Sequence, residues 1–219
     1  MSNKNDLPYN PLDKINLGRS VANALLATPL RELPPAGFQG AGIYAIYYYG
    51  DHPAYEYVAR YNNDGGADGE WPIYIGKAVK EGSRKGLMSV KNTGSSLFKR
   101  LSKHAKSIAA TDNLKLASFK CRYLTIDSIW IPLGEQLLIH KFEPVWNQYI
   151  DGFGNNDPGM GRRNSRTSPW DILHPGRGYA NASTGNILLN DRNKYVNAVL
   201  EKQRITYGKL INEGGDLLK

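Results

Sequence analysis

A single cysteine, Cys121, stands among 219 residues, so no disulfide can close within the chain and no cysteine-rich zinc site can be built. Histidine is nearly as scarce. His52, His104, His140 and His174 lie far apart in sequence, which argues against a zinc finger. No apolar run approaches the roughly 18 residues that a membrane span requires. Residues 1–8, MSNKNDLP, lack the apolar core of a secretory signal, so the expected location is the cytoplasm, with no membrane partner. Neither a GxxxxGK[ST] phosphate loop nor a placed GxGxxG occurs, which removes the usual support for an enzyme of small phosphorylated substrates. Acidic residues are the minority charge: 20 Asp plus Glu against 28 Lys plus Arg leave +8.

The 41 % hydrophobic and 22 % charged content is that of a globular chain with room for one well-packed core. The basic excess favours a polyanionic partner. Its distribution says more than its total. Residues 77–106 hold nine of the basic side chains (Lys77, Lys80, Arg84, Lys85, Lys91, Lys99, Arg100, Lys103, Lys106) and one acid, Glu81, so this window carries an excess as large as that of the whole chain. A solvated basic face is the plain alternative to phosphate contact.

Residues 13–28 place Ile15, Leu17, Val21, Leu25 and Leu26 at helical spacing, ended by Pro29 and Pro34-Pro35. GIYAIYYYG (residues 42–50) and WPIYIGKAV (residues 71–79) read as strands that pair antiparallel. The insert between them, residues 51–70, contains the loop-like Asn62-Asn63-Asp64-Gly65-Gly66. After Gly94-Ser95-Ser96, an apolar stripe of Leu97, Leu101, Ala105 and Ile108 predicts a helix whose other faces are basic. Phe119, Cys121 and Tyr123 alternate with polar neighbours as a third strand. LGEQLLIHKFEPVW predicts a helix with Leu133, Leu137, Leu138 and Phe142 on one side and Glu135 near its start. Residues 150–178 show no period and predict a long surface loop, and residues 191–204 a last helix with Tyr195, Val199 and Leu200 inward. The expected class is α/β: a small antiparallel sheet of about three strands flanked by helices. Expected boundaries are a helical arm at 1–39, a core at 40–149 with its insert at 51–70, and a reading loop plus helix at 150–219.

Strand pairing would bring Tyr44 and Tyr74 to one face. Arg100 and His104, four apart, would stand one above the other on their helix, on the side away from the Leu97 and Leu101 stripe. Glu135 and Asn147 follow from the next helix and its exit. Singly, each of these residues is more often structural than catalytic. In order, Gly42-Ile43-Tyr44, Tyr74-Ile75-Gly76, Arg100, His104, Glu135 and Asn147 resemble the GIY-YIG nuclease superfamily, over roughly residues 40–148. The 29 residues between the two tripeptides exceed the short hairpin common in the superfamily. That length, with the tail Ser168-Pro-Trp-Asp-Ile-Leu-His-Pro-Gly-Arg177, is similar to the type II restriction endonuclease branch whose members cut CCGCGG.

The resemblance implies a phosphodiester-cutting enzyme, and the residue chemistry is compatible with it. Glu135 is the expected ligand of a hard cation such as Mg²⁺, with Mn²⁺ as a substitute, since one carboxylate plus phosphate oxygens and waters makes an ordinary shell. Tyr44 is the expected general base. A phenol titrates near 10, so nearby cations must lower it, and Lys77 or His104 is expected to do so or to take its proton. Arg100 would grip phosphate, Tyr74 would orient phosphate or water, and Asn147 would fix the helix exit. Lys99 and Lys103 are expected to touch the DNA backbone, and Arg162, Arg163 and Arg166 to read guanines. Rival nuclease designs find no footing: no Asp or Glu is followed two positions on by lysine, and the histidines do not cluster. The expected partners are double-stranded DNA, a second copy of the chain on a palindrome, and a cognate DNA methyltransferase as a genetic rather than physical partner. The alternative class is a non-catalytic or structure-specific nucleic-acid-binding protein that uses the same basic surface.

Overall fold

The computed structural model describes residues 10, 12–66, 69–79, 94–155, 167–178 and 189–212. Its centre is a four-stranded antiparallel sheet in the order β1-β4-β2-β3. Strand β2 (Gly42–Tyr48) is inner and buried along its whole length, which suits its run of aromatic and β-branched side chains. It pairs with β3 (Pro72–Ala78) on one side and β4 (Phe119–Thr125) on the other. The fourth strand, β1 (Arg31–Glu32), lies in what the prolines of residues 29–35 made a linker, and it adds to β4 with Arg31 opposite Cys121. A two-residue strand leaves no periodicity to detect.

Directly opposed residues share a face of an antiparallel pair. Tyr44 faces Gly76 and Ile46 faces Tyr74, so both tyrosines stand on one face, as expected. Ile43 faces Lys77 on the other. Helix α3 (Ser96–Ala109) covers the tyrosine face, burying Leu97, Leu101, Ala105 and Ile108. Helix α4 (Ile131–Phe142) covers the other and comes so close that a Cβ on Gly134 would lie 3.2 Å from Ile43 Cδ1. Helix α1 (Lys14–Leu26), capped by Asp13 accepting from the Ile15 amide, packs on α4 through Gly18, against Leu133 and Leu137. Short helix α5 (Val145–Gln148) leads from α4 back to the edge of β3.

Two expectations about loops are corrected. The insert at 51–70 is not a loop: after a 3₁₀ turn (Pro53–Tyr55) it forms α2 (Glu56–Asn63), whose Val58, Ala59 and Tyr61 are buried. Asn62, a loop residue by composition, donates to the Tyr48 and Trp71 carbonyls (2.9 and 3.0 Å) and accepts from the Trp71 amide (2.6 Å). Its side chain satisfies three buried backbone groups between β2 and β3. The described parts of residues 150–178 are likewise not a surface loop. Ile150, Phe153 and Leu173 are buried there, and α6 (Pro169–Leu173), capped by Ser168, sinks Trp170 into the core. The last helix, α7 (Leu189–Asn212), is longer than predicted and packs on α2 and α6, burying Val199, Gln203, Thr206 and Leu210. Leu200 and Tyr195, expected inward, are half-buried. No described helix is long and apolar enough to cross a membrane.

Asn62→Ala strands two carbonyls and an amide in the interior. Urea unfolding should show a loss of about 3 kcal/mol with an unchanged m-value.

Candidate active site

The two tripeptides owe their glycines to close approaches. A Cβ on Gly42 would lie 1.9 Å from the Leu124 carbonyl oxygen, so β4 could not pair there with any larger residue. A Cβ on Gly76 would lie 2.4 Å from Tyr44 Oη, because the Tyr44 phenol crosses the position that Gly76 leaves empty. That path carries the hydroxyl to His104 on α3, with Oη 2.6 Å from Nε2. Tyr44 is fully buried and His104 is 2 % exposed.

Burial of His104 corrects the expectation that it stands away from the Leu97 and Leu101 stripe. It belongs to the inward side of α3. Buried without a carboxylate beside it, the imidazole is pushed well below its usual range, first by burial and then by the positive charges of Arg100, Lys103 and Arg177. It is neutral, and its Nε2 shares a hydrogen bond with the Tyr44 hydroxyl. The Tyr44 phenol moves the other way. Burial and the neighbouring Tyr74 raise its pKa well above 10, while Arg100 opposes them without prevailing. Of the cations expected to lower it, Lys77 pairs with Glu135 and His104 is neutral, and the pull of Arg100 is outweighed by desolvation. Tyr74 is raised as well, chiefly by burial.

Tyr74 lies beside both residues, its ring 6.2 Å from that of Tyr44 and 5.3 Å from the imidazole. Arg100 joins them from α3. Its Nη2 donates to the Gly154 carbonyl at 2.9 Å, and its buried Nε has no hydrogen-bond partner. Lys77 and Glu135 meet on the opposite face of β3, Nζ to Oε2 at 2.6 Å, with the Glu135 side chain 15 % exposed and that of Lys77 43 %. Lys77, expected to be a partner of Tyr44, is thus engaged by Glu135. The Glu135 charge acts on Tyr74, which stands on the other face of this edge strand. Asn147 grips that edge. It accepts from the Ile75 amide and donates to the Ile75 carbonyl, both at 2.8 Å, in the manner of a neighbouring strand.

Among the described residues no three His, Cys, Asp or Glu gather into a metal cluster, so a hard cation here would have to draw on Glu135 together with phosphate oxygens and waters. The donor is of the right kind: a carboxylate in reach of solvent, held by one lysine. Lys99 and Lys103 stand exposed on α3 with Lys106. Arg162, Arg163 and Arg166, with Lys80, Arg84, Lys85 and Lys91, lie outside the described residues. Arg177 is no groove reader; it is 3 % exposed and pairs with Asp171.

Sequence reasoning missed Phe153 and its aromatic neighbours. Phe153 stacks on the His104 ring (4.5 Å, 20°) and meets Tyr74, Trp146 and Trp170 at 5.0, 4.4 and 5.2 Å. The available signal was local: one aromatic between Gly152 and Gly154 marks a side chain delivered by a tight turn, with Gly152 at φ +118°.

A model of the Eco29kI GIY-YIG domain matches residues 36–203. Among curated proteins, none matches the chain.

His174, hydrogen-bonded to Tyr55, is depressed like His104, again mainly by burial. The unfolded chain therefore binds more protons than the folded one below about pH 6.5. The unfolding free energy from urea melts should hold near neutrality and fall from there to pH 5, by up to about 1.4 kcal/mol per pH unit for each of the two histidines, with the midpoint falling in step. A flat midpoint would mean that both imidazoles protonate freely in the folded protein.

Proposed function

Because this chain belongs to the Eco29kI GIY-YIG domain family of restriction endonucleases, and is therefore a site-specific nuclease acting on DNA, we propose that it is a Mg²⁺-dependent type II enzyme that cuts both strands of a palindrome, CCGCGG. The observation that carries the mechanism is the Tyr44–His104 hydrogen bond beside Arg100, with Lys77–Glu135 across the edge strand.

A neutral imidazole bonded to a phenol of raised pKa makes a proton relay. The attacking water gives a proton to Tyr44 Oη while Tyr44 passes its own proton to His104 Nε2. The water oxygen forms the new bond to phosphorus, the bond from phosphorus to the bridging ester oxygen breaks, and the departing oxygen takes a proton from solvent. Tyr44 never has to exist as a buried phenolate; the proton ends on His104, and the negative charge of the phosphate beside it would have to offset the imidazolium that burial and the neighbouring cations disfavour. Arg100 grips the non-bridging phosphate oxygens with its planar fork, and Tyr74 orients the phosphate or the water. Asn147 holds β3, and so the distance between the two groups. Glu135 would hold Mg²⁺, or Mn²⁺ in its place, with Lys77 balancing the carboxylate until DNA arrives. When bound there, the cation neutralises charge building on the phosphate.

One such site cuts one strand, so cleavage of a palindrome calls for a two-fold dimer on DNA. Arg162, Arg163 and Arg166 supply forks suited to guanine O6 and N7. The candidate dimer surfaces are the N-terminal helix α1 and the 51–70 insert with its α2, which a small nuclease core does not need; their inward sides are packed within the chain, so a dimer would use their outer sides. A methyltransferase of the same specificity would protect the host's own DNA.

Purified protein with Mg²⁺ should cut a sequenced plasmid at a common G/C-rich palindrome. Scattered nicks, or gel shifts without cutting, would return the chain to structure-specific or purely binding proteins. Glu135→Gln should abolish cutting with DNA affinity kept, and Tyr44→Phe should lose about 10²-fold to 10⁴-fold in rate. Wild-type cutting by Tyr44→Phe would remove the relay.

Replacing Lys99 and Lys103 together by Ala should weaken binding to all sequences alike. The slope of log affinity against log salt should drop by about 2.

A further inference from the structure

Residues 151–155 cross the mouth of the relay, and three successive carbonyls there are held by arginines. Arg177 donates to Gly152 O (3.1 Å) and Phe153 O (3.3 Å), and Arg100 donates to Gly154 O (2.9 Å). Arg177 is set by a two-pronged pair with Asp171, at 2.6 and 2.7 Å, and by the Trp170 ring 4.4 Å from its guanidinium carbon. Ser168 Oγ fixes the carboxylate in turn at 2.6 Å. Asp171 and Arg177 are both buried, and a buried ion pair contributes little stability beyond what apolar side chains of equal volume would supply. What it does supply is direction. The glycines are required on both sides of the ring: a Cβ on Gly152 would lie 2.0 Å from Ser168 Oγ, and one on Gly154 would lie 2.7 Å from Tyr74 Oη.

We infer that Phe153 and the Asp171–Arg177 pair are positioning residues of the cleavage reaction: the pair clamps the backbone that carries Phe153, and the ring seals His104 from water and holds its Nε2 on Tyr44. This rests on the relay reading of the site. The groups facing His104 are Tyr44 from β2, Tyr74 from β3, Arg100 and Lys103 from its own helix, and Arg177 from the segment after α6. None is acidic, so a water-free cover keeps the imidazole unprotonated near neutral pH, with a ring nitrogen free to face the Tyr44 hydroxyl.

Two variants and two readouts test this. Phe153→Leu keeps an apolar side chain but loses the stack. Arg177→Lys keeps the charge near His104 but loses the fork that holds the loop. In single-turnover plasmid cutting across pH 5.5–8.5, both should lower the maximal rate at least about ten-fold with DNA affinity unchanged. The acid limb should move upward, by on the order of one unit for Arg177→Lys. NMR titration of the His104 imidazole, which requires no cutting, should show the same rise. Wild-type protein that never cuts DNA sinks the proposed function. Wild-type protein that cuts, with variants that keep its rate, its acid limb and its His104 midpoint, overturns the positioning role alone. Equal losses of binding and cutting, or variants that fail to fold, would make the clamp a purely structural device and overturn it too.

Discussion

The hydrogen bond from Tyr44 Oη to His104 Nε2 sets conditions on most of what surrounds it. A phenol and an imidazole can share a proton usefully only if neither is charged at rest, and burial is what keeps both neutral. Burial in turn demands a tight passage for the phenol, which Gly76 provides by having no side chain. It also demands an aromatic cover, which Phe153 provides from a segment far away in sequence. The Leu97 and Leu101 stripe that anchors α3 to the sheet therefore also anchors His104.

The second constraint is the place of β3 at the sheet edge. An inner strand would keep Tyr74 and Lys77 on opposite faces with no common approach. In the proposed reaction, an edge position would let one phosphate meet groups from both faces. Leaving an edge open also invites unwanted pairing. The Asn147 amide answers that by occupying the Ile75 backbone amide and carbonyl itself, so one side chain both blocks the edge and fixes the position of α5.

The elements that a small sheet with flanking helices does not require are here part of one packed unit. α2 is tied to β2 and β3 by Asn62 and covered by α7. The segment after α6 carries Arg177 back to the carbonyls of Gly152 and Phe153, beside His104. Local composition hid both. Asn62-Asn63-Asp64 reads as a turn because short polar side chains bond their own backbone in isolation, yet the same amide bonds a distant backbone once a helix presents it there. Arg177 reads as a surface cation because nothing nearby in sequence announces a partner, although Asp171 is one helix turn and a bend away.

What the sequence determined by itself was everything carried by period and by order: the strand pair of the two tripeptides, the helices bearing Arg100, His104 and Glu135, the third strand through Cys121, and the family that their succession resembles. Those features are local, since a two-residue or 3.6-residue period is decided by which face must be buried. Tertiary structure decided the rest. Whereas the inward place of His104, seven residues after Leu97 and four before Ile108, follows from helical period alone, tertiary structure assigned Lys77 to Glu135 instead of Tyr44, raised the Tyr44 pKa where neighbouring cations were expected to lower it, and placed Phe153 on the imidazole. Each of these depends on desolvation and on contacts between distant segments, and no spacing along the chain encodes how much water a side chain loses when the chain closes around it.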